Sequence, residues 1–97
     1  MFTSRFNDAA REEWRWLEKN EQTRLLDAID EQLSQQPGVE TRNRKQLRQN
    51  PLASHELRAD ELRVFFNLYE TERLVEIVAV GRKEHNDLII RGKKVEL

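Results

Sequence analysis

The chain has 97 residues, 36% of them charged and 37% hydrophobic, which is the size of one domain and leaves only a thin core, most simply one sheet with helices against it. The absence of cysteine excludes disulfides and thiolate metal sites and suits a reducing cytoplasm, no apolar run approaches the roughly 18 residues of a membrane span, and the polar opening Met1-Phe2-Thr3-Ser4-Arg5 does not read as a signal peptide. A net charge of -1 and a pI near 6.1 exclude a general nucleic-acid binder, for which a pI above about 9 is typical, so any RNA contact must come from a local basic patch.

The first helix follows a short stretch, Phe2 to Phe6, that leaves room for only a shortened first strand. Asn7 or Asp8 caps it, and Ala10, Trp14 and Leu17 recur at i, i+4 and i+7 as a buried stripe. Trp14 belongs to that stripe and Trp16 lies off it, free for packing or a partner contact. Lys19-Asn20 is the expected end. A second helix is expected from Glu21 to Gln36, burying Leu25, Leu26, Ile29 and Leu33 before Pro37-Gly38 stops it. The pair forms a helical hairpin.

Beyond residue 39 the period changes. Val39 to Asn50 is polar and basic, and Asn50-Pro51 marks a turn. Leu62 to Tyr69 alternates: Leu62, Val64, Phe66 and Leu68 face one way, and Arg63, Phe65, Asn67 and Tyr69 the other. Glu70 to Arg73 breaks the pattern. Leu74 to Gly81 is β-branched and apolar, so the two runs read as an antiparallel hairpin with a central strand. Leu88-Ile89-Ile90 suggests another short strand, and Gly92-Lys93-Lys94 a turn. The expected fold is α+β: an N-terminal helical hairpin packed on a small, mainly antiparallel sheet, in one domain over residues 1–97. Arg63 would lie near the centre of the open face, between Glu56-Leu57-Arg58 and the strand from Val75 to Gly81.

Charge is unevenly spread. Residues 1–39 carry 5 basic and 8 acidic side chains, residues 40–63 carry 6 and 4, and residues 64–97 carry 6 and 6. The basic excess is therefore local. Two features stand out within it. Arg63 is a cation among Val64, Phe65 and Phe66 on a central strand, where an unpaired charge is costly. It either serves a site or pairs with a carboxylate such as Glu76. Arg42, Arg44, Lys45 and Arg48 form either a phosphate-binding patch or a solvated loop.

The run LRVFFNLYETERLVEIVAVGRKEHNDL (62–88) resembles the hairpin of the RelE/ParE toxins, with RKQLRQNPLASHELRADE (44–61) matching the basic segment, Pro-containing loop and short strand before it. The resemblance extends to the RelE-like branch over nearly the whole chain. It implies the toxin of a type II toxin–antitoxin pair, a ribosome-dependent messenger RNA endoribonuclease that works without metal or other cofactor by attack of the ribose 2′-hydroxyl on the adjacent phosphate. It implies as partners a cognate antitoxin, the ribosome and messenger RNA, and a cytoplasmic location without membrane or small-molecule cofactor.

By position, Arg63 matches the strand arginine that binds the scissile phosphate, Lys45 the upstream basic segment, and Lys83 or Arg82 the basic site at the strand end, with His85 as acid or base. Arg44, Arg48 and Arg82 are the accompanying RNA-binding cations. Phe65 and Tyr69 share the face of Arg63, where they either stack on bases or fill a second small core. Where the family often carries a C-terminal tyrosine or histidine, this chain reads Asp87-Leu88-Ile89-Ile90, which turns attention to His85. His55 reads as a surface loop residue, and the histidines and acids show no metal-ligand spacing. Two other readings share the fold: a ParE-like inhibitor of DNA gyrase, and a catalytically inactive interaction module.

Overall fold

The Asn7 side chain accepts the Ala10 amide at 2.8 Å, and this cap starts helix α1, Asp8–Arg15. The structure, a computed structural model, describes residues 1–96. The chain breaks over Trp16-Leu17-Glu18 and re-enters helix α2, Lys19–Leu33. The sequence placed that junction at Lys19-Asn20. It falls earlier because the Glu18 amide finds the Glu21 carboxylate at 2.9 Å, so Glu18 already serves as the N-cap of α2. Gln22 and Trp14 tie the two helices together through reciprocal bonds to each other's backbone carbonyls. Leu25, Ile29 and Leu33 form the buried stripe of α2, whereas Leu26, expected among them, is 44% exposed. Trp14 is half-buried against the core and Trp16 is exposed. The helix stops three residues short of Gln36, ahead of Pro37.

Among the described residues seven strands form one sheet, in the order β2-β3-β4-β5-β6-β7 with β1 beside β5. They are β1 (Thr3–Phe6), β2 (Arg44–Gln46), β3 (His55–Ala59), β4 (Leu62–Tyr69), β5 (Leu74–Glu84), β6 (Asp87–Ile90) and β7 (Lys93–Val95). All pairings are antiparallel except β1 with β5. The sheet with two helices on it is the α+β fold expected from the sequence. Three details differ from expectation. Arg44–Gln46 forms a strand inside the polar segment, β5 runs on to Glu84, and Lys93–Val95 is a strand after a turn at Arg91-Gly92.

The register of β4 on β5 shifts between Phe65, opposite Ala79, and Phe66, opposite Ile77, which leaves Val78 as an extra residue. Here β1 has ended and β6 has not begun. Glu13 of α1 reaches into that gap and accepts the Val80 amide at 3.0 Å, satisfying a donor that neither strand meets.

Two cores result. Leu62, Val64 and Phe66 of β4 join Val75, Ile77 and Val80 of β5 against Leu25, Ile29 and Leu33 of α2. On the other face, Phe65 and Ala79 pack with Ala53, Leu88 and Ile90, edged by Leu47, Leu52 and Val95. Gly81 is needed here: a Cβ on it would lie 2.5 Å from the Ile89 carbonyl oxygen and 2.7 Å from the Ile90 side chain.

Candidate functional site

The face of the sheet away from the helices is only partly covered, and the register decides which cations it displays. Strands β3 and β4 are joined by Asp60-Glu61 alone, so Arg58 lies opposite Arg63 and Glu56 opposite Phe65. Lys45 on β2 lies opposite Glu56, and Gly81 on β5 opposite Arg63. Side chains alternate along a strand, so Lys83, two residues beyond Gly81, shares the same face. It borders a cleft of about 450 Å³ together with Glu56, Leu88 and Val95. The open face thus carries Lys45, Arg58, Arg63 and Lys83 around one buried acid, Glu56.

Among the described residues, no carboxylate pairs with Arg63. Its Nη1 donates to the carbonyl oxygens of Asp60 at 2.6 Å and Leu62 at 2.8 Å. Its Nε is buried and meets no acceptor among the described residues. Burial lowers the guanidinium pKa below the ordinary arginine value; Glu56 opposes that shift and Arg58 adds to it. Two like charges opposite each other across a sheet repel. Arg58 is paired, its Nε 3.0 Å from the Glu56 carboxylate, which reduces its repulsion of Arg63 without removing it. Arg63 keeps its charge exposed to whatever anion approaches. The carboxylate considered for it, Glu76, lies instead opposite Asn67 and accepts the Tyr69 hydroxyl at 3.1 Å.

Several expected site residues are occupied elsewhere. Arg44, expected to bind RNA, points to the helix side and donates to the carbonyls of Gln32 at 2.8 Å and Gln36 at 2.6 Å, closing the end of α2. Arg82, also expected to bind RNA, points the same way; its Nη1 meets both Glu21 oxygens at 3.1 and 3.0 Å. Glu21 is 5% exposed, so this pair is structural. Phe65 is fully buried in the second core and offers no face to a base. Tyr69 is 41% exposed on the same side of the sheet. Lys45 and Arg48 are exposed.

His85 and Asn86 form the two-residue turn between β5 and β6, with φ of 57° and 103°. His85 is exposed there, two residues past Lys83. His55, expected at the surface, is half-buried on the helix side. It stacks on Phe66 with ring centroids 5.3 Å apart, and its Nδ1 lies 2.8 Å from the Ser54 hydroxyl. Burial lowers its pKa.

Sequence reasoning passed over Arg58 and Glu56 as site residues. The signal was present: a two-residue turn at Asp60-Glu61 fixes residue 58 opposite residue 63.

No protein-family model matches the chain, and no curated protein sequence does. Solved structures are similar to it. A chain of the RelBE2 toxin–antitoxin complex from Mycobacterium tuberculosis is 22% identical with a TM-score of 0.73, over 84% of this chain and 98% of that one. The isolated RelE toxin of E. coli is 26% identical with a TM-score of 0.67, over 88% of this chain and 87% of that one. A chain of the intact E. coli RelBE toxin–antitoxin complex is 24% identical with a TM-score of 0.67, over 88% and 100%. In the order of its elements, the pairing of its strands and its likeness to these chains, the protein has the fold of the RelE-like toxin superfamily.

Proposed function

We propose that this chain is the toxin of a toxin–antitoxin pair and that it cleaves messenger RNA on the ribosome. The observation that carries the reading is Arg63: a cation on the open face with a buried Nε that meets no acceptor and with no carboxylate partner among the described residues. A phosphodiester supplies the anion that this cation lacks. In the reaction the ribose 2′-oxygen bonds to phosphorus while the bond to the 5′-oxygen breaks, and negative charge builds on the non-bridging oxygens. Fixed cations stabilise that charge more than the ground state, which is what lowers the barrier. Arg63 takes the phosphate, with Lys83 and Arg58 beside it and Lys45 at the β2 edge. The attacking hydroxyl must lose a proton and the leaving oxygen must gain one. His85 and Lys45 are the candidates for those transfers, with Tyr69 and Arg48 left to contact the RNA around the cut.

The same face defines the partner. An antitoxin that inhibits this reaction would set acidic side chains against Arg63 and Lys83, as complementary interfaces do. The test is expression of the wild-type chain and of Arg63→Ala in a bacterium, with messenger RNA 5′ ends mapped and growth followed. The expected result is growth arrest with new cuts at codon-spaced positions, both lost in the variant. Arrest without cuts would overturn the nuclease reading in favour of gyrase inhibition, checked by a supercoiling assay. No arrest from a folded wild-type protein would leave an interaction module.

A further inference from the structure

The turn that carries Arg63 is gripped from the opposite side of the sheet. Arg24, in the middle of α2, places Nη1 and Nη2 at 3.0 and 2.9 Å from the two Glu61 oxygens, and Nη1 lies 3.6 Å from the Asp60 carboxylate. This is a forked guanidinium–carboxylate pair, which fixes angle as well as distance. The backbone of the same two residues holds the open-face groups. The Asp60 carbonyl accepts Arg63 Nη1 at 2.6 Å, and the Glu61 carbonyl accepts the Lys83 amide at 2.7 Å. One helical turn before Arg24, Glu21 binds Arg82, the residue next to Lys83. Two ion pairs from one stripe of α2 therefore anchor both strands that display Arg63 and Lys83.

The grip has a job. Arg58 faces Arg63 across the sheet, and like charges so placed repel. An arginine side chain left to itself would swing outward to water. The Asp60 carbonyl opposes that swing only while the turn stays in place, and Asp60 sits there in the left-handed region with φ of 56°. The Arg24 guanidinium holds the Glu61 carboxyl down at about 2, with Arg82 adding to the effect, so the pair stays charged at any pH the cell meets.

We propose that Arg24, with Glu21 behind it, is a positioning residue: α2 sets the angle of the Arg63 guanidinium and the height of Lys83 through the Asp60-Glu61 turn. This rests on the reading of the open face as the phosphate site, and its test is chosen to fail separately from that reading. The first readout needs no activity. In the free protein, the Arg63 Nε–Hε resonance and its exchange with water report how firmly the guanidinium is held. In Arg24→Gln that exchange should accelerate about tenfold or more, while the core amides keep their protection. Arg24→Lys, which keeps the charge but not the fork, should give an intermediate rate. The swapped pair, Arg24→Glu with Glu61→Arg, should restore slow exchange.

The second readout is single-turnover cleavage on programmed ribosomes. A misplaced Arg63 should lower the maximal rate by roughly ten- to a hundredfold with little change in half-saturation. The swap should recover most of it. An Arg63 resonance that is unchanged in Arg24→Gln overturns the positioning role whatever the activity shows. A resonance that responds and is rescued, in a wild-type protein that cuts no RNA, supports the positioning role and overturns the nuclease reading. Global unfolding of Arg24→Gln moves the decision to Arg24→Lys and the swapped pair, where a folded swap without slow exchange is again fatal.

Discussion

Phe65 and Tyr69 lie on the same side of the same strand, yet one belongs to the interior and the other to the surface. The Phe65 ring is fully buried by Ala53, Ala79, Leu88 and Ile90, so its removal leaves a cavity that no nearby side chain is placed to fill. Phe65→Ala should cost about 3–5 kcal/mol, read as a shift in the urea midpoint. Tyr69→Ala, at an exposed position, should change stability by no more than about 0.5 kcal/mol. Equal effects of the two substitutions would contradict this assignment. Alternation along β4 was legible in the sequence and placed both rings on the face of Arg63. A second small core was one of two readings of that face, and which residues would build it was not legible. The lid over Phe65 comes from Ala53, Leu88 and Ile90, which reach it only through the tertiary fold. The same limit hid the commitments of Arg44, whose carbonyl partners close the end of α2 just upstream, and of Arg82, whose carboxylate partner on α2 is far away in sequence. A basic residue advertises charge, not its partner.

At the scale of elements, the helices and the central hairpin were readable because their apolar periods, 3.6 and 2, run over many residues. The joins were harder. The break between α1 and α2 depends on one capping contact from Glu21, and the three-residue strand β2 exists only because β3 offers it a ladder. The β5–β6 turn is a similar local decision. Its two residues, His85 and Asn86, both have positive φ, and 103° at Asn86 is far from the left-handed well that asparagine tolerates. Glycine adopts such angles freely, though it adds freedom to the unfolded chain. Relief of roughly 1–2 kcal/mol, offset by roughly 0.5–1 kcal/mol, predicts that Asn86→Gly stabilises the protein by about 0.5–1 kcal/mol. Thermal unfolding should show it as a rise of a few degrees in Tm. A fall in Tm would mean that the Asn86 side chain does something in the cleft beside Lys83 that outweighs its backbone. Because the turn also carries His85, the same variant tests whether the hairpin's geometry matters to activity without touching a candidate group.

For the molecule as a whole, acid is the most informative perturbation, because three groups with known environments respond to it with different signs. His55 is held neutral by burial against Phe66, so its folded pKa lies below the ordinary 6.5. The unfolded chain then binds the proton first, and stability present above 6.5 is lost as the pH falls through the folded value. Glu61 is lowered from 4.5 to about 2 by its bond to Arg24, so its contribution is present above 4.5 and disappears as the pH falls toward 2. That contribution is modest, since both side chains are 40% exposed and water screens the pair. Glu13 runs the other way. Burial raises its pKa above 4.5 despite the Val80 amide and Arg91, so its folded form retains a proton longer and stability falls as the pH rises above 4.5. On acidification from neutral pH, His55 therefore lowers stability, whereas Glu13 raises it as the pH falls toward 4.5. His55→Gln removes one arm. Urea midpoints measured every half unit should show the wild type gaining less on acidification, or losing more, than the variant over this range. Below 4.5 both proteins should lose stability together, because Glu61 is common to them, and Glu61→Gln should flatten that limb alone. Identical slopes for the wild type and His55→Gln between pH 7 and 5 would mean that the His55 ring is not held neutral against Phe66, and that the helix-side core opens to water more readily than its packing implies.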